Sequence, residues 1–161
     1  MDYSPYGGID SGDLSNYIHG LPNNSNMSTA GILSDNNISV HIGDITDGTS
    51  NTFIIFELAG RNDLWCKGKL VTPNGTIGGG WADLSNYENW LSGSQLDGTG
   101  TSGLCMVNCT NTGGRGMYSF HTGGISALMA DGSVRFISEN TNLLTLARLG
   151  GMQDGGVVGD F

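Results

Sequence analysis

The sequence predicts short β-strands joined by long ordered loops, with a few short helices around one modest core. Three observations predict it. First, 28 of the 161 residues are Gly, 3 are Pro, and only 13% carry charge. The polarity therefore comes from Gly, Asn, Ser and Thr, which argues against a helical bundle and against charge-driven disorder. Second, "NTFIIFELA" at 51–59 is apolar on both alternating faces, as a central strand requires. Third, "ISALM" and "VRFI" flank "ADGS", which reads as a hairpin with Asp131 and Gly132 accepting the positive φ of a tight turn.

Along the chain, residues 1–43 carry turn formers ("YGGIDSGD", "LPNNSN", "SDNN") and no sustained periodicity, so they read mostly as loop with one helical turn at Leu14–His19. The pentapeptide "DLSNY" occurs at Asp13–Tyr17 and again at Asp83–Tyr87, each time led by an Asp able to cap a short helix. Asp44 reads as the cap of a single turn that Gly48 ends. In the strand that follows, Phe53, Ile55 and Glu57 share one face and Ile54, Phe56 and Leu58 the other. "DLWCKGKLVT" reads as one further strand, "PNG" at 73–75 as a turn, and 92–116 as a long Gly/Ser/Thr/Asn loop. "NTNLLTLARLGG" closes the region 44–161 as a helix capped by Asn140 or Thr141, with Arg148 near its negative end and Gly150 stopping it. The whole of 1–161 fits one domain.

The charge balance narrows the partners. A formal net charge of −9 and a pI near 4.3 disfavour phosphate backbones and anionic membranes and favour hard cations. No stretch approaches the roughly 18 apolar residues of a membrane helix. No signal peptide is visible, and the opening "MDYSPYGG" reads as the interior of a domain, so Met1 reads as an artificial start or as that of a truncated reading frame. Cys105 and Cys109 lie four apart in a loop, where a disulfide, and with it an oxidising compartment, is favoured over two small buried thiols. Cys66 is left over and reads as a buried apolar residue.

His121 precedes Asp131–Gly132 by nine intervening residues. An extended 124–130 separates its ends by roughly 20 Å, so the spacing measures a strand and the two side chains do not meet. His121 reads as satisfying loop carbonyls, with a metal or proton-transfer role as the alternative. Glu57, a carboxylate ending an apolar strand, needs a partner if buried: Arg61, Arg135, His121 or a cation. An ion pair is the plain reading and a catalytic or metal role the sharper one. The Asp-rich turns offer Asp10, Asp13, Asp44, Asp47 and Asp131 as candidate Ca²⁺ ligands, with Asp97 and the Asp154–Asp160 segment nearby in composition. None matches an EF-hand loop. Trp65, Trp81 and Trp90 could form a carbohydrate platform or plug the core. Nucleophile-elbow, HExxH, P-loop and dinucleotide-binding patterns are absent.

These residues carry a family likeness. "YSFHTGGISALMADGSVRFI" resembles the H-X9-DG signature of the prepilin-type, processing-associated DUF1559 proteins of bacteria, and "DITDGTSNT" with Glu57 resembles a second block of that family. "CMVNCTN" resembles its loop before the histidine, "NLLTLARLGGMQDGGVVGDF" its C-terminus, and "DYSPYGGIDSG" an internal segment. The resemblance implies a type IV pilin or type II secretion pseudopilin-like head: an α+β domain with an antiparallel sheet, outside the cytoplasm or in the envelope, beside other pilin-like subunits. It implies an N-terminal hydrophobic helix that these 161 residues lack, and often a structural Ca²⁺ near the C-terminal loops. Three functions follow as expectations. The first is a pseudopilin-like, Ca²⁺-stabilised head. The second is a metal-dependent hydrolase of small esters or lactones, with His121 or Glu57 activating water. The third is a glycan-binding module using the tryptophans.

Overall fold

The computed structural model describes residues 2–10, 12–21, 27–34, 39–86, 89–100, 102–156, 158–159 and 161. Asp160, Tyr87 of the second "DLSNY" and most of the "LPNNSN" and "SDNN" turns lie outside these residues.

The fold is α+β. A five-stranded sheet has the order β5-β1-β2-β6-β7, formed by β1 (Tyr3–Ile9), β2 (Phe53–Glu57), β5 (Asn89–Leu91), β6 (Gly124–Met129) and β7 (Val134–Ser138). A separate two-stranded sheet pairs β3 (Leu64–Cys66) with β4 (Lys69–Thr72). Two eight-residue helices, α1 (Asp13–Gly20) and α2 (Leu143–Gly150), complete the elements that matter here.

As its two apolar faces require, β2 is the middle strand. It pairs antiparallel with β1 on one side and β6 on the other. A register shift between Phe53 and Ile55 breaks the simple alternation. Phe53 and Phe56 consequently both reach the ring of Tyr6, edge-on, at centroid distances of 4.8 and 6.2 Å. Tyr6, Phe53, Phe56, Leu58, Ile125, Met129 and Leu149 are wholly buried and form the centre of the core.

Several expectations are corrected. Residues 1–43 hold a strand, β1, that the sequence does not signal, beside the helical turn expected at Leu14–His19, which lies within α1. Pro5, Gly7 and Gly8 disguise β1 locally, and the strand forms because β2 and β5 pair with it from both sides. The β1–β5 pairing is parallel, so the sheet is mostly rather than wholly antiparallel. "DLWCKGKLVT" is two strands, reversed at Lys67 (φ 48°) and Gly68 (φ 76°), the conformation of a primed two-residue turn. Asp44 does not start a turn. It is the third residue of a 3₁₀ turn at Ile42–Asp44, and its carboxylate accepts the His41 N–H at 2.7 Å. The cap of α2 is Asn142, whose side chain accepts the Leu144 N–H at 2.9 Å; Asn140 and Thr141 lie before it. Cys66 is only half-buried, and its Sγ lies 3.4 Å from the Gly98 carbonyl. The two "DLSNY" copies differ as well. Asp13 is the first residue of α1, whereas Asp83 sits before a 3₁₀ turn and accepts the Ser85 N–H at 2.9 Å.

The β6–β7 hairpin forms as expected, with one correction to its turn. Only Gly132 has a positive φ, of 87°. The Gly132 N–H donates to Met129 at 3.0 Å and the Met129 N–H to Ser133 at 2.8 Å, so the loop is the three residues 130–132 closed by a glycine bulge.

Candidate functional site

The end of β2 meets β1, β6 and the loop 119–123 at one carboxylate. Register places Glu57 opposite Tyr3 of β1 and, one step beyond Ala127, beside Ser126 of β6. The Glu57 side chain is 7% exposed; its Oε2 accepts the Ser126 N–H at 2.5 Å, and its Oε1 lies 3.3 Å from His121 Nε2. The Tyr3 hydroxyl hydrogen-bonds to the same carboxylate, and that negative charge, foremost, raises the Tyr3 pKa. Of the three protein partners the sequence offers Glu57, His121 is the one used. Arg61 turns to Asn86 Oδ1, and Arg135 stacks over the Phe161 ring.

His121 is delivered by a clamp that the sequence reading missed. The segment before it runs beside the end of β2, where the Tyr118 N–H donates to the Glu57 carbonyl and the Ala59 N–H to the Tyr118 carbonyl, both at 2.9 Å. Asn108, held at φ 56°, accepts the Ser119 N–H at 2.9 Å and donates to the Gly124 carbonyl at 3.2 Å. The Ser119 hydroxyl donates to the same carbonyl at 2.7 Å and accepts the His121 N–H at 3.0 Å. An Asn that hydrogen-bonds locally and tolerates the left-handed region suits this position. Its presence between two cysteines, just before the histidine loop, was the available signal.

Asn108 belongs to the loop closed by the Cys105–Cys109 disulfide, whose Cα atoms lie 6.2 Å apart. The disulfide therefore constrains Asn108, and Asn108 constrains the backbone that carries His121. Replacing both cysteines by serine should cost about 2 kcal/mol by loop-closure entropy. Amide exchange at 119–124 should rise more than at β6, read by denaturant melts and hydrogen exchange; equal protection in both forms would disprove the linkage.

On its outer side the His121 ring, 63% exposed, borders an open cavity of about 440 Å³ lined also by Lys67, Asn108, Ser119, Thr122 and Glu139. A buried carboxylate behind a half-open imidazole can hold one tautomer and leave the other ring nitrogen as a base. The neighbouring hydroxyl of Ser119 is committed to the backbone, so no nucleophile–base pair is assembled with it.

Asp131 sits apart from His121, at the exposed hairpin tip. Its Oδ1 accepts from the Ser133 hydroxyl at 2.7 Å and the Ser133 N–H at 2.8 Å, which together hold its pKa below the usual carboxylate range. The other calcium candidates are dispersed in the fold. Asp10 follows β1, Asp13 opens α1, and Asp44 and Asp47 lie on the segment before β2. Among the described residues, no three His, Cys, Asp or Glu side chains converge as a metal cluster. Asp47 accepts N–H groups from Asp154 at 2.6 Å and Gly155 at 3.0 Å, so its oxygens are engaged by donors. The tryptophans also part company. Trp65 packs edge-on to Phe120 at 5.0 Å, Trp90 covers Gly8, and Trp81 is 86% exposed.

The fold and this site thus describe an α+β domain whose signature histidine and aspartyl-glycyl tip bracket one strand of a hairpin. The chain belongs to the family described as protein of unknown function (DUF1559), which matches residues 4–144. No curated protein and no solved structure matches it. Among the described residues, no helix is long and apolar enough to cross a membrane.

Proposed function

We propose that this chain is a pilin-type, extracytoplasmic head that works by subunit or surface contact rather than by catalysis. One observation carries the reading: Glu57, His121 and Asp131 each spend their side chains on the scaffold. Glu57 joins β1, β2, β6 and the 119–123 loop, His121 closes that loop onto it, and Asp131 shapes the hairpin tip. Two features support it. The disulfide suits an oxidising compartment. The edge strand β7 leaves Val134 and Phe136 68% and 52% exposed, an apolar edge suited to pairing with another chain.

A metal-dependent ester or lactone hydrolase is the second reading, favoured by the half-open His121 in front of a buried carboxylate. A panel of small esters and lactones separates the two, assayed with and without Ca²⁺ on the wild type and His121→Ala. The scaffold reading expects no turnover above buffer in either protein. Turnover that His121→Ala abolishes would establish the hydrolase.

Calcium belongs to both readings and has its own test at Asp154. Burial, and then the nearby Asp47 charge, raise its pKa, against the opposing pull of the Gly156 N–H and Arg148. A carboxyl whose folded pKa is raised contributes stability below the ordinary value near 4, and this is lost as pH rises through the folded value. Without bound calcium, Asp154→Asn should therefore raise Tm at pH 7 and flatten the decline above pH 4. With calcium seated there, the same substitution should lower Tm and abolish any response to chelator.

A further inference from the structure

One cavity collects half of the chain's few cationic side chains. The sequence has only six Lys and Arg against fifteen Asp and Glu. Arg61 is buried, Arg148 stands in α2 near Asp154, and Arg135 covers Phe161. The remaining three, Lys67, Lys69 and Arg115, all line one cavity of about 560 Å³ between the β3–β4 hairpin and the loops at 97–100 and 112–115. Among the described residues none of the three is in a salt bridge. Leu64, Val71 and Cys66 supply apolar wall. The one carboxylate there, Asp97, is occupied: the Thr99 hydroxyl at 2.7 Å and the Thr99 N–H at 2.9 Å hold its pKa low.

We infer that this cavity binds a small amphiphilic anion, an apolar chain or ring ending in a carboxylate. Its volume falls within the range of about 300–1,000 Å³ typical of small-ligand sites, and its mixture of apolar wall with a few polar groups is theirs too. Charge complementarity selects the head group. Among the described residues, three cations outside any salt bridge face one engaged carboxylate, which favours a negative head group. The apolar wall selects against a bare anion such as acetate or phosphate, which would leave Leu64 and Val71 uncovered. An extended acidic peptide is the competing occupant, because the outer edge of β4 is unpaired among the described residues. The concavity of the site favours the small molecule.

Titrating the ¹⁵N-labelled chain with sodium octanoate tests the inference. Saturable shifts are expected at Leu64, Val71 and Gly98. Acetate and 1-octanol, which lack the tail and the charge respectively, should each bind about tenfold more weakly or worse, one decade being 1.4 kcal/mol. The Lys69→Gln/Arg115→Gln protein should lose about tenfold in octanoate affinity while keeping a dispersed spectrum. Val71→Glu, at a position already 55% exposed, should abolish binding without unfolding the chain. Octanoate that does not saturate, that shifts other residues, or that binds no better than 1-octanol would overturn the assignment. So would equal affinity in the charge variants, or tighter binding of a capped tetraglutamate peptide than of octanoate.

Discussion

Glu57→Ala should cost about 2–4 kcal/mol of stability, while His121→Ala costs about 1 kcal/mol. The asymmetry follows from burial. Removing the carboxylate leaves the Ser126 N–H of β6 without its acceptor, unties the half-exposed Tyr3 of β1 and frees the 119–123 loop. Removing the half-exposed imidazole deletes one partner and leaves the strands joined. A double-mutant cycle should return a coupling of about 1 kcal/mol, because the two groups touch. A spectroscopic reading separates the charge from the packing. Glu57 is the foremost cause of the raised Tyr3 pKa, so Glu57→Gln should move the phenol's ultraviolet titration back toward 10 even where stability changes little. If Glu57→Ala and His121→Ala were equally mild, Glu57 would not be the post that joins the three strands. The scaffold reading of the signature would then fail.

Much of this arrangement is legible in the sequence, and what is missing has physical causes. The β6–β7 hairpin and the central β2 are set by local alternation and by Asp-Gly, so short-range signals suffice. The separation of His121 from Asp131 follows from strand length alone. Glu57 announces itself as a carboxylate on an apolar strand that must find a partner. Which partner it finds is settled 51 to 64 residues away, where Tyr118 pairs with the end of β2 and Asn108 and Ser119 hold the backbone of His121, in segments without periodicity. No pattern over ten residues encodes that. β1 is missed for the opposite reason: its local signal is negative, with Pro5, Gly7 and Gly8 in seven residues, and tertiary pairing overrides it. The Lys67–Gly68 reversal is missed because Lys seldom accepts a positive φ. That reversal places Lys67 beside both cavities, so the error over one turn hid the cationic site as well.

Tyr6 should give the largest single effect in the molecule, and its two obvious replacements should act in opposite directions. The ring is wholly buried, edge-on to Phe53 and Phe56, and the hydroxyl has no hydrogen-bond partner among the described residues. Tyr6→Ala removes a filled volume at the centre of the core and should cost about 3–5 kcal/mol. Tyr6→Phe keeps the ring and deletes an unsatisfied hydroxyl, so it should be neutral or stabilising by up to about 1 kcal/mol, or a Tm gain of about 2–4 °C. Alkaline titration checks the cause. Burial raises the Tyr6 pKa, so this group contributes stability below pH 10 that is lost as pH climbs toward the folded value. The phenylalanine variant should lose that component of alkaline unfolding and keep the component from Tyr3. The walls of the pocket supply the last test. A Cβ at Gly150 or at Gly31 would stand about 2.5 Å from Tyr6 ring atoms, too close for any native contact. Gly150→Ala should therefore be strongly destabilising in the wild type and much less so beside Tyr6→Ala, where the ring it strikes is gone. Additive costs for that pair would show that Gly150 is glycine for some reason other than the ring of Tyr6.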